Sequence, residues 1–208
     1  MPYTLFVEGL LLGAGLFAAP GPKDTLVIRQ GVSAGPLRGV VAICVLADAV
    51  LIAVGIAGTG ALLGNSPRAE AALVIAGAVY LAWFGAQRLL ASLRNASMPA
   101  QDASENSRRA VLRAALLLGF ANPYAWLDTV VLIGSIGASK PAAQQPLFAA
   151  GTMLASLLWF VALAWGSRRL AGLFRSARAW RLLDAGIAIL MACLAIRLLE
   201  GALRNAAA

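Results

Sequence analysis

The segment Pro20-Gly21-Pro22-Lys23-Asp24-Thr25 interrupts one long apolar stretch with proline followed by Asp-Thr. A second long apolar stretch is interrupted in the same way, by Asn122-Pro123-Tyr124-Ala125-Trp126-Leu127-Asp128-Thr129. A proline inside a membrane helix frees backbone carbonyls, and an aspartate at mid-membrane costs about 2.5 to 3.5 kcal/mol on insertion scales. Such groups persist where they line a polar cavity. The two segments therefore predict a solute site built from two broken helices.

The composition around these breaks is that of an integral membrane protein. The chain has 208 residues, of which 61% are hydrophobic and 12% charged, and its mean hydropathy is +0.81. A soluble domain is roughly half apolar and a quarter charged. At about 20 residues per span the length allows five or six helices and no separate soluble domain. The first apolar run has no Lys or Arg before Lys23, so we expect a retained helix rather than a secretory signal.

Charge and cysteine content exclude several other classes. The net charge of +8 is better explained by basic cytoplasmic loops than by nucleic-acid binding. Cys44 and Cys193 each stand alone in an apolar run, which favours neither a disulfide framework nor a metal site. No cofactor is indicated. Because the chain has no histidine, any proton carried through the membrane would ride on carboxylates.

The apolar runs predict an all-α protein with six spans, in which the first and fourth helices are broken by proline. These spans cover about 5–29, 38–62, 70–91, 112–137, 146–166 and 181–203. A polar linker, 92–111, separates a first three-helix repeat, 1–91, from a second, 112–208. A five-span arrangement is the main alternative.

Basic residues are distributed unevenly between the two sides. Thirteen of the 17 Lys and Arg residues fall in or beside the first, third and fifth connections; the other four are Arg68, Lys140, Arg197 and Arg204. The positive-inside rule then places the linker in the cytoplasm and both termini outside.

The two halves also resemble each other in sequence. Asp24-Thr25 matches Asp128-Thr129, and Leu46-Ala47-Asp48 matches Leu154-Ala155-Ser156. Gly77 with Arg88-Leu89-Leu90 matches Gly186 with Arg197-Leu198-Leu199. An odd number of spans per repeat predicts that the second copy is inverted, which brings the two helix breaks together near the midplane.

Asp48 and Asp128 are the strongest candidate site residues. Asp48 lies deep in the second span with no basic neighbour in that helix, which predicts either a hydrogen-bonded structural acid or a carboxylate for substrate or protons. Asp128 follows the second break, where it would either cap the next half-helix or face the site. Asn122 adds an amide beside the carbonyls that Pro123 frees.

The first break supplies further candidates. Pro20, Gly21 and Pro22 cannot continue a regular helix, and the half-helix beyond them presents amides suited to a carboxylate. Lys23 and Asp24 would either neutralise each other or enter the site. Trp126 is a candidate wall of the cavity, and Ser156 is the counterpart of Asp48 in the second repeat. Asp24, Asp48 and Asp128 against Lys23 leave two net negative charges, which suits a cationic solute or a proton.

These motifs resemble those of the LysE family of bacterial amino-acid exporters, in particular its lysine and arginine branch. The likeness rests on Pro20-Gly21-Pro22 with Gln30-Gly31, Ala47-Asp48, Asn122-Pro123 to Asp128-Thr129, and Gly151-Thr152 with Ser156 and Trp159. It implies export of arginine or lysine across the inner membrane, driven by the proton motive force, with Asp48 and Asp128 important for transport and proton coupling. Lys23-Asp24 departs from the uncharged pair usual in the family.

Three other functions remain open at this stage. One is export of neutral amino acids such as threonine or homoserine. Another is a membrane thiol relay, which would need paired cysteines at matching repeat positions, whereas Cys44 and Cys193 fall in non-equivalent spans. The last is a structural subunit that transports nothing and explains neither the acids nor the repeat. Besides the amino acid, we expect protons and membrane lipid as partners and no nucleic acid; glycine-rich faces leave self-association open.

Overall fold

A computed structural model describes residues 2–18, 21–33, 35–59, 67–93, 105–172 and 176–207, and its described residues form helices joined by short turns. The helices are α1 (Pro2–Phe17), α2 (Pro22–Val32), α3 (Leu37–Val54), α4 (Pro67–Leu93), α5 (Glu105–Phe120), α6 (Pro123–Ala138), α7 (Gln145–Leu170) and α8 (Ala177–Ala207). The all-α class predicted from the sequence is confirmed.

Both proline breaks fall where the sequence predicted them. Pro22 begins α2 and Pro123 begins α6, at the first-turn position where the missing N–H of proline leaves no hydrogen bond unmade. The chain bends by 75° between α1 and α2 and by 42° between α5 and α6. Within α6, residues Trp126–Ile133 form π-helical turns, which the sequence did not predict.

Helix length and composition identify several membrane spans among the described residues. Leu37–Gly58 and Ala142–Leu170 are each long and apolar enough to cross a bilayer, and two more spans result if each bent pair is one span. The predicted total of six spans stays a prediction. The second span continues beyond α3 through Gly55–Thr59 and kinks at Gly58, whose φ of 112° lies in the left-handed region that glycine tolerates.

The site lies where the two bent pairs meet two long helices. The α1–α2 pair packs along α7, while α3 contacts α5 and α6; α4 and α8 pack against each other. Small residues allow the closest approaches: a Cβ built on Gly13 would lie 2.8 Å from Ala155 Cβ, and one built on Gly119 would lie 2.8 Å from Ala47 Cβ. These crossings hold the helix breaks against α3 and α7.

Candidate functional site

A cavity of about 40 Å³ lies between the two helix breaks. Its polar wall comes from both: Gly21, Pro22, Lys23 and Asp24 from the first, and Asn122, Tyr124, Asp128 and Thr129 from the second. Apolar side chains, among them Phe160 of α7, complete the lining. Sites for small molecules usually measure about 300 to 1,000 Å³. The conformation is therefore a closed one, and helices must move before a solute of that size enters.

Asp24 is held at the N-terminus of α2 by two donors. The Gly21 amide donates to Asp24 Oδ2 at 2.5 Å, and the indole Nε1 of Trp159 donates to Oδ1 at 2.8 Å. A carboxylate is favoured there because the unpaired amides of the first turn carry partial positive charge. Asp24 is only 6% exposed, so the two bonds fix its direction beside the cavity.

The Lys23 ammonium forms an ion pair with Asp48 of α3. Asp48 is completely buried, and Ser156 Oγ of α7 donates to its other carboxylate oxygen at 2.7 Å. The Lys23 ammonium also lies 5.7 Å from the centre of the Phe160 ring. The sequence left open whether Lys23 is neutralised by the adjacent Asp24; its direct partner is Asp48, which leaves Asp24 facing the cavity.

At the second break, the sequence left open whether Asp128 caps the next half-helix or faces the site. In the structure, Asn122 caps the helix and Asp128 faces the cavity. Asn122 is the N-cap: its Oδ1 accepts the Tyr124 amide at 3.0 Å. Asp128 lies six residues after Asn122 and lines the cavity, with the Tyr124 hydroxyl as its hydrogen-bond partner. Asp128 is thus a cavity carboxylate, and the cap that satisfies the free amide is an asparagine.

Six of the ten residues predicted for the site line the cavity: Gly21, Pro22, Lys23, Asp24, Asn122 and Asp128. Asp48 lies behind Lys23, with which it forms an ion pair, and Ser156 lies one hydrogen bond further away, on Asp48. Trp126 is not among the described lining residues; its indole instead donates to the Phe120 carbonyl at 2.6 Å, at the end of α5. Pro20 lies outside the described residues.

Sequence reasoning missed three parts of this site. Tyr124 directly follows Pro123, so its place in the second break was the available signal. Trp159 appears in the sequence only as part of a family motif, and nothing in the sequence singled out Phe160.

Cys44 and Cys193 are both free thiols. The part of the chain that the structure describes contains no group of three acids, cysteines or histidines placed to hold a metal ion.

A helical membrane protein whose broken helices enclose a charged cavity has the architecture of a solute transporter. The chain belongs to the LysE family, because residues 14–201 match the family model described as LysE type translocator. This match confirms the resemblance seen in the sequence and the expectation that the chain is not an enzyme.

Curated relatives cover almost the whole chain. The Corynebacterium efficiens "Lysine exporter LysE" is 33% identical over 94% of this chain and 98% of its own. The Aeromonas salmonicida "Putative amino-acid transporter YggA" is 33% identical over 97% and 98%. The Pectobacterium carotovorum "Arginine exporter protein ArgO" is 32% identical over 94% and 97%. No solved structure matches the chain.

Proposed function

We propose that this protein exports basic L-amino acids, arginine or lysine, from the cytoplasm, driven by the proton motive force. The observation that carries the proposal is the charge of the cavity. Asp24 and Asp128 both face it, whereas the single lysine in its described wall is already paired with Asp48. The excess of negative charge favours a cationic solute. The names of the relatives, which include lysine and arginine exporters, support the same class.

Alternating access would come from two inverted three-helix repeats, 1–91 and 112–208, rocking about the cavity. Two close contacts support this reading. Gly13 packs against Ala155, and Gly119 packs against Ala47. In both contacts, a Cβ built on the glycine would lie 2.8 Å from the Cβ of the alanine. Ala47 and Ala155 are matched in the sequence repeat, and the glycines are separated by a similar offset. A two-fold relation between the halves would generate this pair of crossings.

In the transport cycle, Asp24 and Asp128 would hold the cationic groups of the substrate. Asp48 acts from behind, through Lys23, rather than by direct contact. Protonation of Asp128 from the outside would release the substrate and reset the site; Asp48 is the less suitable proton carrier, because a proton there would leave the Lys23 ammonium without its counter-ion.

Transport of labelled arginine by the protein in proteoliposomes tests the function. We expect arginine transport to be saturable and to be inhibited competitively by lysine. We expect the transport rate to fall at least tenfold in Asp128→Asn. Glu200→Gln is the matched control, because Glu200 is an exposed acid outside the described cavity wall. Arginine transport that is unchanged in Asp128→Asn would overturn the assignment. Competition by threonine or leucine, but not lysine, would favour the neutral exporter.

Collapse of the proton gradient separates the driving force from the substrate. With an imposed pH gradient and membrane voltage, we expect arginine to accumulate against its concentration gradient, and an added protonophore to abolish that accumulation. Accumulation that persists with the protonophore would exclude the proton motive force while leaving the substrate assignment intact.

The proposed topology places both termini in the periplasm and the linker, 92–111, in the cytoplasm of a bacterial inner membrane. Arg108 and Ala142 are exposed and lie on opposite predicted sides. In a variant without Cys44 and Cys193, we expect an impermeant maleimide applied to intact cells to label Ala142→Cys and not Arg108→Cys. The reverse labelling pattern would show that the topology is inverted.

The same cysteine-free parent tests the thiol relay, because retained transport in that variant would exclude a relay.

A further inference from the structure

Lys23 occupies a special position in the proposed transporter, because its side chain lies between the cavity and Asp48. It lines the cavity, yet its ammonium pairs with an aspartate that is fully buried. An ammonium has three donors. Asp48 takes up one of them, so others remain available toward the cavity.

Gly21 and Pro22, at the start of α2, offer no free amide to an anion. The Gly21 amide already donates to Asp24 Oδ2, and Pro22 has no N–H. The sequence had suggested these amides as the carboxylate site, but the carboxylate of Asp24 occupies the first of them. Of the described residues that line the cavity, Lys23 alone carries a positive charge.

The charges of the cavity wall mirror those of a basic amino acid. Arginine and lysine each have two cationic groups and one carboxylate, and the wall presents two carboxylates, Asp24 and Asp128, with one ammonium. We propose that Lys23 binds the α-carboxylate of the substrate, while Asp48, fixed by Ser156, positions the ammonium for this task. The inference rests on the proposed export of basic amino acids and assigns the group that distinguishes them from simple amines.

Arginine and agmatine provide the direct test, because agmatine is arginine without its carboxylate. In competition against labelled arginine, we expect the wild type to bind agmatine at least tenfold more weakly, the effect of losing one hydrogen bond to a charged group. Lys23→Arg, which keeps the positive charge, should preserve a preference for arginine. Equal binding of the two ligands by the wild type would overturn the role of Lys23.

The decisive variant combines Lys23→Met with Asp48→Asn, so that neither charge is left unpaired in the interior. We expect arginine binding to weaken by about tenfold and agmatine binding to change little, which brings the ratio of the two affinities close to one. A ratio that stays at its wild-type value would contradict the inference. Failure of the export proposal is distinguishable, because the wild type would then bind neither ligand.

A second, independent observation concerns a groove on the outside of the bundle between α3 and α7. The groove measures about 640 Å³, and its wall is almost entirely apolar. Leu46, Leu157, Val161 and Trp165 in this wall are 42% to 61% exposed. Arg38, near the start of α3, and Arg168, near the end of α7, also line the groove, and neither guanidinium forms an ion pair with a described residue.

The dimensions and charge of this groove fit a single phospholipid. Its wall extends along α3 from Leu37 to Ala49, about 18 Å at 1.5 Å per residue, close to the 15 Å depth of one leaflet. Trp165 lies close to Arg168 in sequence, as expected of tryptophan at a membrane interface, with the Arg169 guanidinium 4.0 Å from its ring. We infer that the groove binds an anionic phospholipid, with its phosphate at Arg38 and Arg168 and one acyl chain along the helices.

Thermal unfolding in detergent with added lipid tests this site. We expect phosphatidylglycerol to raise the Tm by several degrees more than phosphatidylcholine, and glycerol phosphate, which has no acyl chain, to have no effect. The double variant Arg38→Gln, Arg168→Gln should lose the excess. The matched control, Arg108→Gln with Arg178→Gln, removes two exposed arginines elsewhere and should keep it. The inference would be overturned if both lipids stabilised the protein equally, or if both double variants lost the excess equally. It would also be overturned if a Leu46→Cys variant formed a cross-linked dimer whose interface excludes lipid from the groove.

Discussion

Ser156 donates a hydrogen bond of 2.7 Å to the carboxylate of Asp48, and these two residues occupy matched positions of the sequence repeat. Residues related by a two-fold axis meet when they lie close to that axis. The contact therefore has the geometry expected at the centre of an inverted repeat. In the proposed inverted repeat, one copy carries the acid and the other carries a donor for that acid.

Ser156→Ala should destabilise the protein modestly. The substitution removes one donor from a fully buried carboxylate, which corresponds to about 1 kcal/mol of the free energy of unfolding. Thermal unfolding in detergent measures the change. Ser139→Ala is the control, because the Ser139 hydroxyl is exposed and bonds within its own helix. A Tm that falls equally in both variants would contradict the assigned bond.

Asp48→Asn alone should be much more damaging than the same change combined with Lys23→Met. The single variant leaves the buried ammonium without a counter-ion, at a cost of about 3 to 5 kcal/mol. The double variant removes both charges and should recover most of that loss. Glu8→Gln is the comparison for an exposed pair: Glu8 bonds Lys140 at 2.5 Å at the surface, and its loss should cost less than about 1 kcal/mol. A double variant as unstable as Asp48→Asn would argue against the pairing.

The sequence predicted those parts of the site that local chemistry determines. Proline has no amide N–H, so Pro22 and Pro123 mark the starts of α2 and α6, and the polar residues beside them face the cavity. The pairing of Lys23 with Asp48 was not predictable in this way. It depends on how α2 packs against α3, and the sequence pattern gives the apolar face of each helix but not their relative rotation.

Trp126 and Trp159 illustrate the same limit. Both are tryptophans near a predicted helix break or motif, and each uses its indole N–H. Trp126 bonds a carbonyl of the preceding helix, whereas Trp159 bonds Asp24, 135 residues away in sequence. The first bond is local and closes the end of α5. The second depends on tertiary packing, so the residue nearer to the break is structural and the distant one supports the site.

Trp159→Phe should weaken substrate binding while preserving the fold. Phenylalanine retains an aromatic ring but cannot donate to Asp24 Oδ1, so the carboxylate loses one of the two donors that hold it. We expect about fivefold weaker arginine binding, equivalent to about 1 kcal/mol. Trp165→Phe is the control, since Trp165 is exposed on the outside of the same helix and is not among the described residues that line the cavity. Equal affinities in the two variants would show that Trp159 does not position Asp24.

Gly134→Ala should disrupt the crossing between α6 and the end of the second span. A Cβ on Gly134 would lie 2.6 Å from Gly55 Cα, and because the obstacle is backbone, no side-chain rotation relieves the clash. Close helix crossings in membranes depend on such small residues. We expect a loss of about 1 to 3 kcal/mol in the free energy of unfolding, from the strain of an overpacked contact.

Gly166→Ala in α7 is the matched control for this crossing, because a Cβ there would meet nothing within 4 Å. Alanine is favoured over glycine in a helix by up to about 1 kcal/mol, so this variant should be as stable as the wild type or slightly more stable. Thermal unfolding of both variants, with arginine binding measured below the transition, separates the two effects. If Gly134→Ala unfolded at the wild-type temperature, the backbones of Gly55 and Gly134 would not be in contact, and the second break would not be braced against α3.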